Sequence, residues 1–97
     1  LVAVQEAGAF SVVIEAVTEQ LANKLCKISK IKTIGIGASN NCDGQVLVTE
    51  DMLGFYDKNP KFVKKYNNLK KNISKSVLKY KMDVIKKLFP TRNNIYK

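Results

Sequence analysis

Glu15 is the residue to begin with. It closes a short, β-branched apolar run, Phe10-Ser11-Val12-Val13-Ile14. A carboxylate in that position can take a proton from a substrate as a general base. On residue type alone, the commoner reading is a helix-entry or solvent-facing acid. Two other acidic dipeptides read as structural: the acid pair Glu50-Asp51 at a helix entry, and Asp43-Gly44, with its single acid, as a turn. Neither is assigned a catalytic role. Gly35-Ile36-Gly37-Ala38-Ser39 carries two glycines of a dinucleotide loop but lacks the third and opens no helix, so it reads as small residues on a crowded strand. Cys26 and Cys42 show no CxxC spacing, and the chain contains no His. A zinc site and a Ser-His or Cys-His triad are therefore excluded from this chain. Reduced thiols in a cytoplasmic protein are expected.

The elements that must position these residues follow from periodicity. Residues 1–7 read as a helix end, with Gly8 at the position after its C-cap. The continuous apolarity of 10–14 predicts a strand buried on both faces. Thr18 is placed to cap a helix whose Leu21, Leu25 and Ile28 form a buried stripe. A second strand is expected at 33–37, a polar turn at 39–44 and a third strand at 45–48. Strand, helix, strand with short links is the βαβ pattern of a parallel sheet. If the sheet closes into a βα barrel, the C-terminal end of each strand faces the active site, and Glu15 sits at such an end. Beyond Gly54 the chain turns helical. A short helix is expected from Pro60 through Tyr66. A longer one places Ile73, Val77, Tyr80, Val84 and Leu88 on one stripe and is stopped by Pro90.

Composition bounds the remaining classes. The 97 residues are 45% hydrophobic and 26% charged, which suits a globular protein rather than a disordered one. No apolar run reaches the roughly 18 residues of a membrane span, and no leader-like segment is present. The net charge of +9 is concentrated after residue 54, where 12 Lys and one Arg face two acids. Such a segment could serve as a small Lys-rich nucleic-acid-binding module. Its near-absence of Arg and its lack of a stacking motif favour a solvated helical face instead. The stripe likewise favours packing on protein over a membrane surface.

Three ordered segments then become specific: Val13-Ile14-Glu15-Ala16-Val17, Ile34-Gly35-Ile36-Gly37-Ala38-Ser39 and Cys42-Asp43-Gly44-Gln45-Val46-Leu47-Val48. Together with Asp51-Met52-Leu53-Gly54 and Pro60-Lys61-Phe62-Val63-Lys64, the chain resembles the ketopantoate hydroxymethyltransferase family of pantothenate biosynthesis. The resemblance fades after about Tyr66. It departs from the family at Ser39, where Gly is common, and at Thr18, where Pro is common.

The resemblance implies the C-terminal portion of a (βα)8 TIM barrel, with residues 1–54 supplying its last strands and helices. Residues 55–97 would form a basic helical segment packing on the barrel. It also implies transfer of a one-carbon unit from 5,10-methylenetetrahydrofolate to 3-methyl-2-oxobutanoate, Mg²⁺ as cofactor, and a homo-oligomer, a decamer for the intact enzyme. Glu15 falls at the family's proton acceptor. The resemblance places the metal ligands and the other substrate-binding residues on earlier strands, so no metal-binding or cofactor-binding residue is assigned within this chain. On this reading the chain is a fragment of a longer enzyme, inactive by itself and aggregation-prone; an inactive truncated relic is the other reading.

Overall fold

The computed structural model describes residues 1–96. Helix α1 (Val2–Glu6) is one short turn and ends at Gly8, whose φ is 88°. Strand β1 (Ser11–Glu15) follows, then helix α2 (Glu19–Ile28) and strand β2 (Lys32–Ile36). Strand β3 (Gly44–Gln45) completes a three-stranded parallel sheet in the order β1-β2-β3. Ser11 lies opposite Lys32 and Glu15 opposite Ile36, while Ile34 lies opposite Gly44. The expected βαβ unit is therefore present, with both expected strands shifted by one residue.

The third strand is shorter than its apolar run suggested. After Gln45, only the Val46 amide extends the ladder, donating to the Gly35 carbonyl at 3.0 Å. Gly37, at φ 60°, turns β2 out of the sheet one residue after Ile36. Leu47 and Val48 then have no strand to pair with, and helix α3 (Thr49–Leu53) starts at once. Glu50 and Asp51 lie in its first turn, where acids suit the helix dipole.

Gly54 ends α3 in the left-handed conformation, at φ 77°. It is required there twice over, because a Cβ would also collide with the Asn67 carbonyl oxygen. The helix expected over 60–66 is a single turn, closed by the Val63 amide on the Pro60 carbonyl at 3.0 Å. Propagation stops because this segment is drawn across α3: the Tyr66 amide donates to the Met52 carbonyl at 2.8 Å.

The core lies between one sheet face and α2. Ile14, Ala22 and Cys42 are buried, with Val17, Leu25, Cys26 and Ala38 packed around them. The stripe of α2 is thus rotated from the one expected. Leu21 and Ile28 are exposed, and Ala22 with Leu25 and Cys26 faces the sheet. The reason is steric: the smallest side chain lets the helix backbone come closest to Ile14. On β1, Ile14 is buried while Val13 and Glu15 are exposed, so that strand is covered on one face only within this chain.

Helix α4 (Leu69–Ile85) is the long basic helix, capped by the Asn68 side chain accepting from the Lys71 amide. None of its residues is buried. A 3-10 turn (Arg92–Asn94) follows. The chain is elongated, 66 Å in its longest dimension, with a radius of gyration of 22.4 Å, against about 13 Å for a compact domain of this length. Among the described residues, no helix is long and apolar enough to cross a membrane.

Candidate active site

The C-terminal ends of β1 and β2 lie side by side and bend together. Immediately after the Glu15–Ile36 pair, Ala16 (φ 51°) and Gly37 (φ 60°) both enter the left-handed region. The Ala16 amide donates to the Ile36 carbonyl at 2.9 Å, which fixes the first bend against the second strand. A left-handed alanine costs free energy, and this one directly follows the candidate base.

An open groove of about 640 Å³ runs across these bends, lined by Ala16, Val17, Gly37, Ala38, Lys61 and Phe62 among others. A second, of about 400 Å³, continues it over Gln45, Val46, Leu47 and Met52. Gly37 and Phe62 border both, and a Cβ on Gly37 would sit 2.7 Å from the Phe62 ring. The small residue therefore admits an aromatic wall. Gly35 is crowded differently: a Cβ there would meet the Gln45 amide at 2.9 Å and Cys42 Sγ at 3.0 Å. The crowding expected of this glycine-rich strand is present at Gly35, where the Gln45 and Cys42 side chains supply it.

Glu15 is at the end of β1, on the face opposite Ile14 and α2. It is exposed, and it is not among the residues lining the groove, although its neighbour Ala16 is. Its chemical competence is that of an accessible carboxylate able to accept a proton. Lys61, Phe62 and Gln45 were not anticipated as groove residues. Their only sequence signal was membership of the segments that carry the resemblance, because no pattern brings residue 62 over residue 37.

The loop between β2 and β3 is held by polar contacts. Asp43 accepts from the Thr33 amide at 2.9 Å and from the Thr33 hydroxyl at 3.0 Å, and it pairs with Lys32 Nζ at 2.9 Å. The Thr33 amide, the Lys32 ammonium and the Thr33 hydroxyl hold the Asp43 carboxyl well below the usual carboxylate range. Asp43 in turn raises Lys32. Asp43 is thus more than a turn residue, since it clamps the loop to the start of β2. At the other end, the buried Ser39 hydroxyl donates to Asn23 Oδ1 at 2.5 Å and accepts from the Asn41 amide at 3.1 Å. Ser39 therefore ties the loop to α2. Thr18 stands at the N-cap of α2 without a side-chain capping bond, contrary to expectation. Its φ of −60° is one that proline adopts equally well, so the backbone accommodates either residue.

The described residues do not suit Mg²⁺. Glu15 is the sole acid on β1 and β2, and no three His, Cys, Asp or Glu side chains converge among the described residues. A hard cation needs several oxygen ligands in near-octahedral array. No step is assigned here to a bound metal.

Comparison with known proteins gives this geometry its context. The family model described as ketopantoate hydroxymethyltransferase matches residues 1–92, well past Tyr66, where the resemblance had been expected to fade. A 3-methyl-2-oxobutanoate hydroxymethyltransferase of Pelagibacter ubique is 49% identical over 92 residues, covering 95% of this chain and 36% of that protein. One from Zymomonas mobilis, 3-methyl-2-oxobutanoate hydroxymethyltransferase 2, is 56% identical over 93 residues, covering 96% and 34%. One from Bartonella bacilliformis is 52% identical over 95 residues, covering 98% and 35%. The chain spans about a third of the length of the curated relatives it matches. With the family model covering nearly all of its residues, the chain belongs to the ketopantoate hydroxymethyltransferase family.

Proposed function

We propose that this chain is the C-terminal portion of a TIM-barrel hydroxymethyltransferase of pantothenate biosynthesis, and that Glu15 is its proton acceptor. The intact enzyme transfers a one-carbon unit from 5,10-methylenetetrahydrofolate to 3-methyl-2-oxobutanoate, giving 2-dehydropantoate. One observation carries the assignment of Glu15: in a chain of this family, the carboxylate stands at the C-terminal end of a parallel strand, on the face that α2 leaves open. Strand C-termini form the active-site face in βα barrels.

In this reading Glu15 removes the proton from C3 of the keto acid. The carbanion, delocalised onto the neighbouring carbonyl, attacks the folate-borne methylene carbon. The left-handed Ala16 fixes where the carboxylate stands, and Gly37 with Phe62 forms one wall of the cleft. Mg²⁺ belongs to the proposed enzyme as a cofactor, with ligands outside the described residues. The exposed Val13 and half-buried Ile34 would face the barrel interior, and the stripe of α4 would pack on the closed barrel. A decameric, cytoplasmic enzyme completes the proposal.

The test is a steady-state assay of the intact enzyme with Glu15→Gln. The turnover number is expected to fall by about 10²–10⁴, the usual contribution of a positioned base, with keto-acid binding retained. The 97-residue chain alone is expected to give no turnover in the same assay. Wild-type turnover in Glu15→Gln removes Glu15 from the role, and measurable turnover by the chain alone refutes the fragment reading.

A further inference from the structure

The two cysteines lie 16 residues apart in sequence, yet their Sγ atoms are 3.4 Å apart. Both are free thiols; Cys42 is buried and Cys26 half-buried. Cys26 sits in the second half of α2, and Cys42 sits in the loop that leads into β3. The contact joins two elements that also meet through the Ser39–Asn23 and Asn41–Asn23 hydrogen bonds and the apolar cluster around Ala22. A disulfide of about 2.05 Å requires the sulfurs to approach by only roughly 1.4 Å from their present separation. The two thiols also differ in access. Cys26 opens onto two surface grooves, one shared with Phe10, Lys30 and Asp43 and the other with Asn23, Lys27 and Asn41. Cys42 lines neither of these grooves.

We infer that Cys26 and Cys42 form a reversible thiol-modification site, in which Cys26 receives a low-molecular-weight disulfide and Cys42 resolves it into an intramolecular disulfide. In the first step the Cys26 thiolate attacks one sulfur of the small disulfide and releases one small thiolate, leaving a mixed disulfide on Cys26. In the second step Cys42, having lost its proton to solvent, attacks Cys26 Sγ and expels the second small thiolate. The protein's two thiols are oxidised by two electrons and the small disulfide is reduced to two thiols, so no other reactant is needed. The product pins the loop carrying Ser39 and Asn40, which border the larger groove, onto α2. The division of roles follows from access: only the thiol that opens onto the grooves can meet the small disulfide first, and only the one already against it can displace the adduct.

The test is incubation of the protein at its full natural length with oxidised glutathione, followed by mass spectrometry of non-reduced peptides. The expected result is loss of both thiols and a species lighter by two hydrogens. In it, the peptides bearing Cys26 and Cys42 are linked, and dithiothreitol separates them. Closure is expected to be faster in native buffer than in urea, because the fold holds the sulfurs together. Cys42→Ser is expected to stop at one glutathione on Cys26. Persistence of both thiols, a mixed disulfide that never closes in the wild type, or closure equally fast in urea overturns the inference. So does a Cys42→Ser protein that takes no glutathione on Cys26. The wild-type comparison requires no variant to fold.

Discussion

Helices α2 and α4 are both amphipathic by sequence, and they end in opposite circumstances. Helix α2 lies between two parallel strands, and Ala22 is fully buried against Ile14. Helix α4 is longer, carries a longer stripe, and has Ile73, Val77 and Leu88 in or just beyond it about half exposed. What joins α4 to the rest is polar: the Asn68 cap, the Lys70 amide donating to the Gly54 carbonyl at 3.1 Å, and the exposed Asp57–Lys70 ion pair. The lesson is that a stripe specifies a helix and a face, whereas burial needs a partner surface. Strands β1 and β2 supply that surface to α2, and nothing among the described residues supplies it to α4.

Changes in each region should therefore differ in size. In the α2 core, Ala22→Leu forces four-carbon bulk into a site with no room. It should lower stability by about 1–3 kcal/mol, read from urea unfolding of the intact enzyme. A loss below a few tenths of a kcal/mol would mean that α2 does not approach the sheet as closely as described. In α4, Asn68→Ala removes one capping bond and should cost about 1 kcal/mol of local helix stability, seen as faster amide exchange over 69–72 with the sheet amides unchanged. Equally accelerated exchange in β1 and β2 would show that the two regions are one cooperative unit.

The smallest effect concerns the loop clamp. Because its folded-state partners hold Asp43 below the ordinary aspartate range, its contribution is fully present above about pH 4 and is lost as the pH falls below that. The group is substantially solvent-exposed, so the effect is modest. Asp43→Asn should lower the urea midpoint slightly at pH 6, and the gap from wild type should narrow toward pH 3. A gap that widens on acidification would contradict the clamp.

Much of the site's framework was legible in the sequence. The runs 10–14 and 33–37 located β1 and β2 to within a residue, since β-branched apolar runs flanked by polar turns have few other uses. The position of Glu15 at a strand end followed directly. Less legible was everything that depends on which elements meet. Val46-Leu47-Val48 has strand composition, but Gly37 removes its partner. The segment 60–66 has helical spacing, but hydrogen bonding to α3 holds it as a turn. Leu21 and Ile28 outrank Ala22 in hydrophobicity, yet size decided which face of α2 came closest to the sheet. The Cys26–Cys42 and Phe62–Gly37 approaches join residues with no local signal linking them.

The central claim is that Glu15 takes the proton from C3 of the keto acid. Proton NMR of 3-methyl-2-oxobutanoate in D₂O with the intact enzyme and no folate isolates that step from carbon transfer. Wild type should wash the C3 proton out into solvent, and Glu15→Gln should do so more slowly by about 10²–10⁴. Exchange by Glu15→Gln at the wild-type rate would contradict the claim.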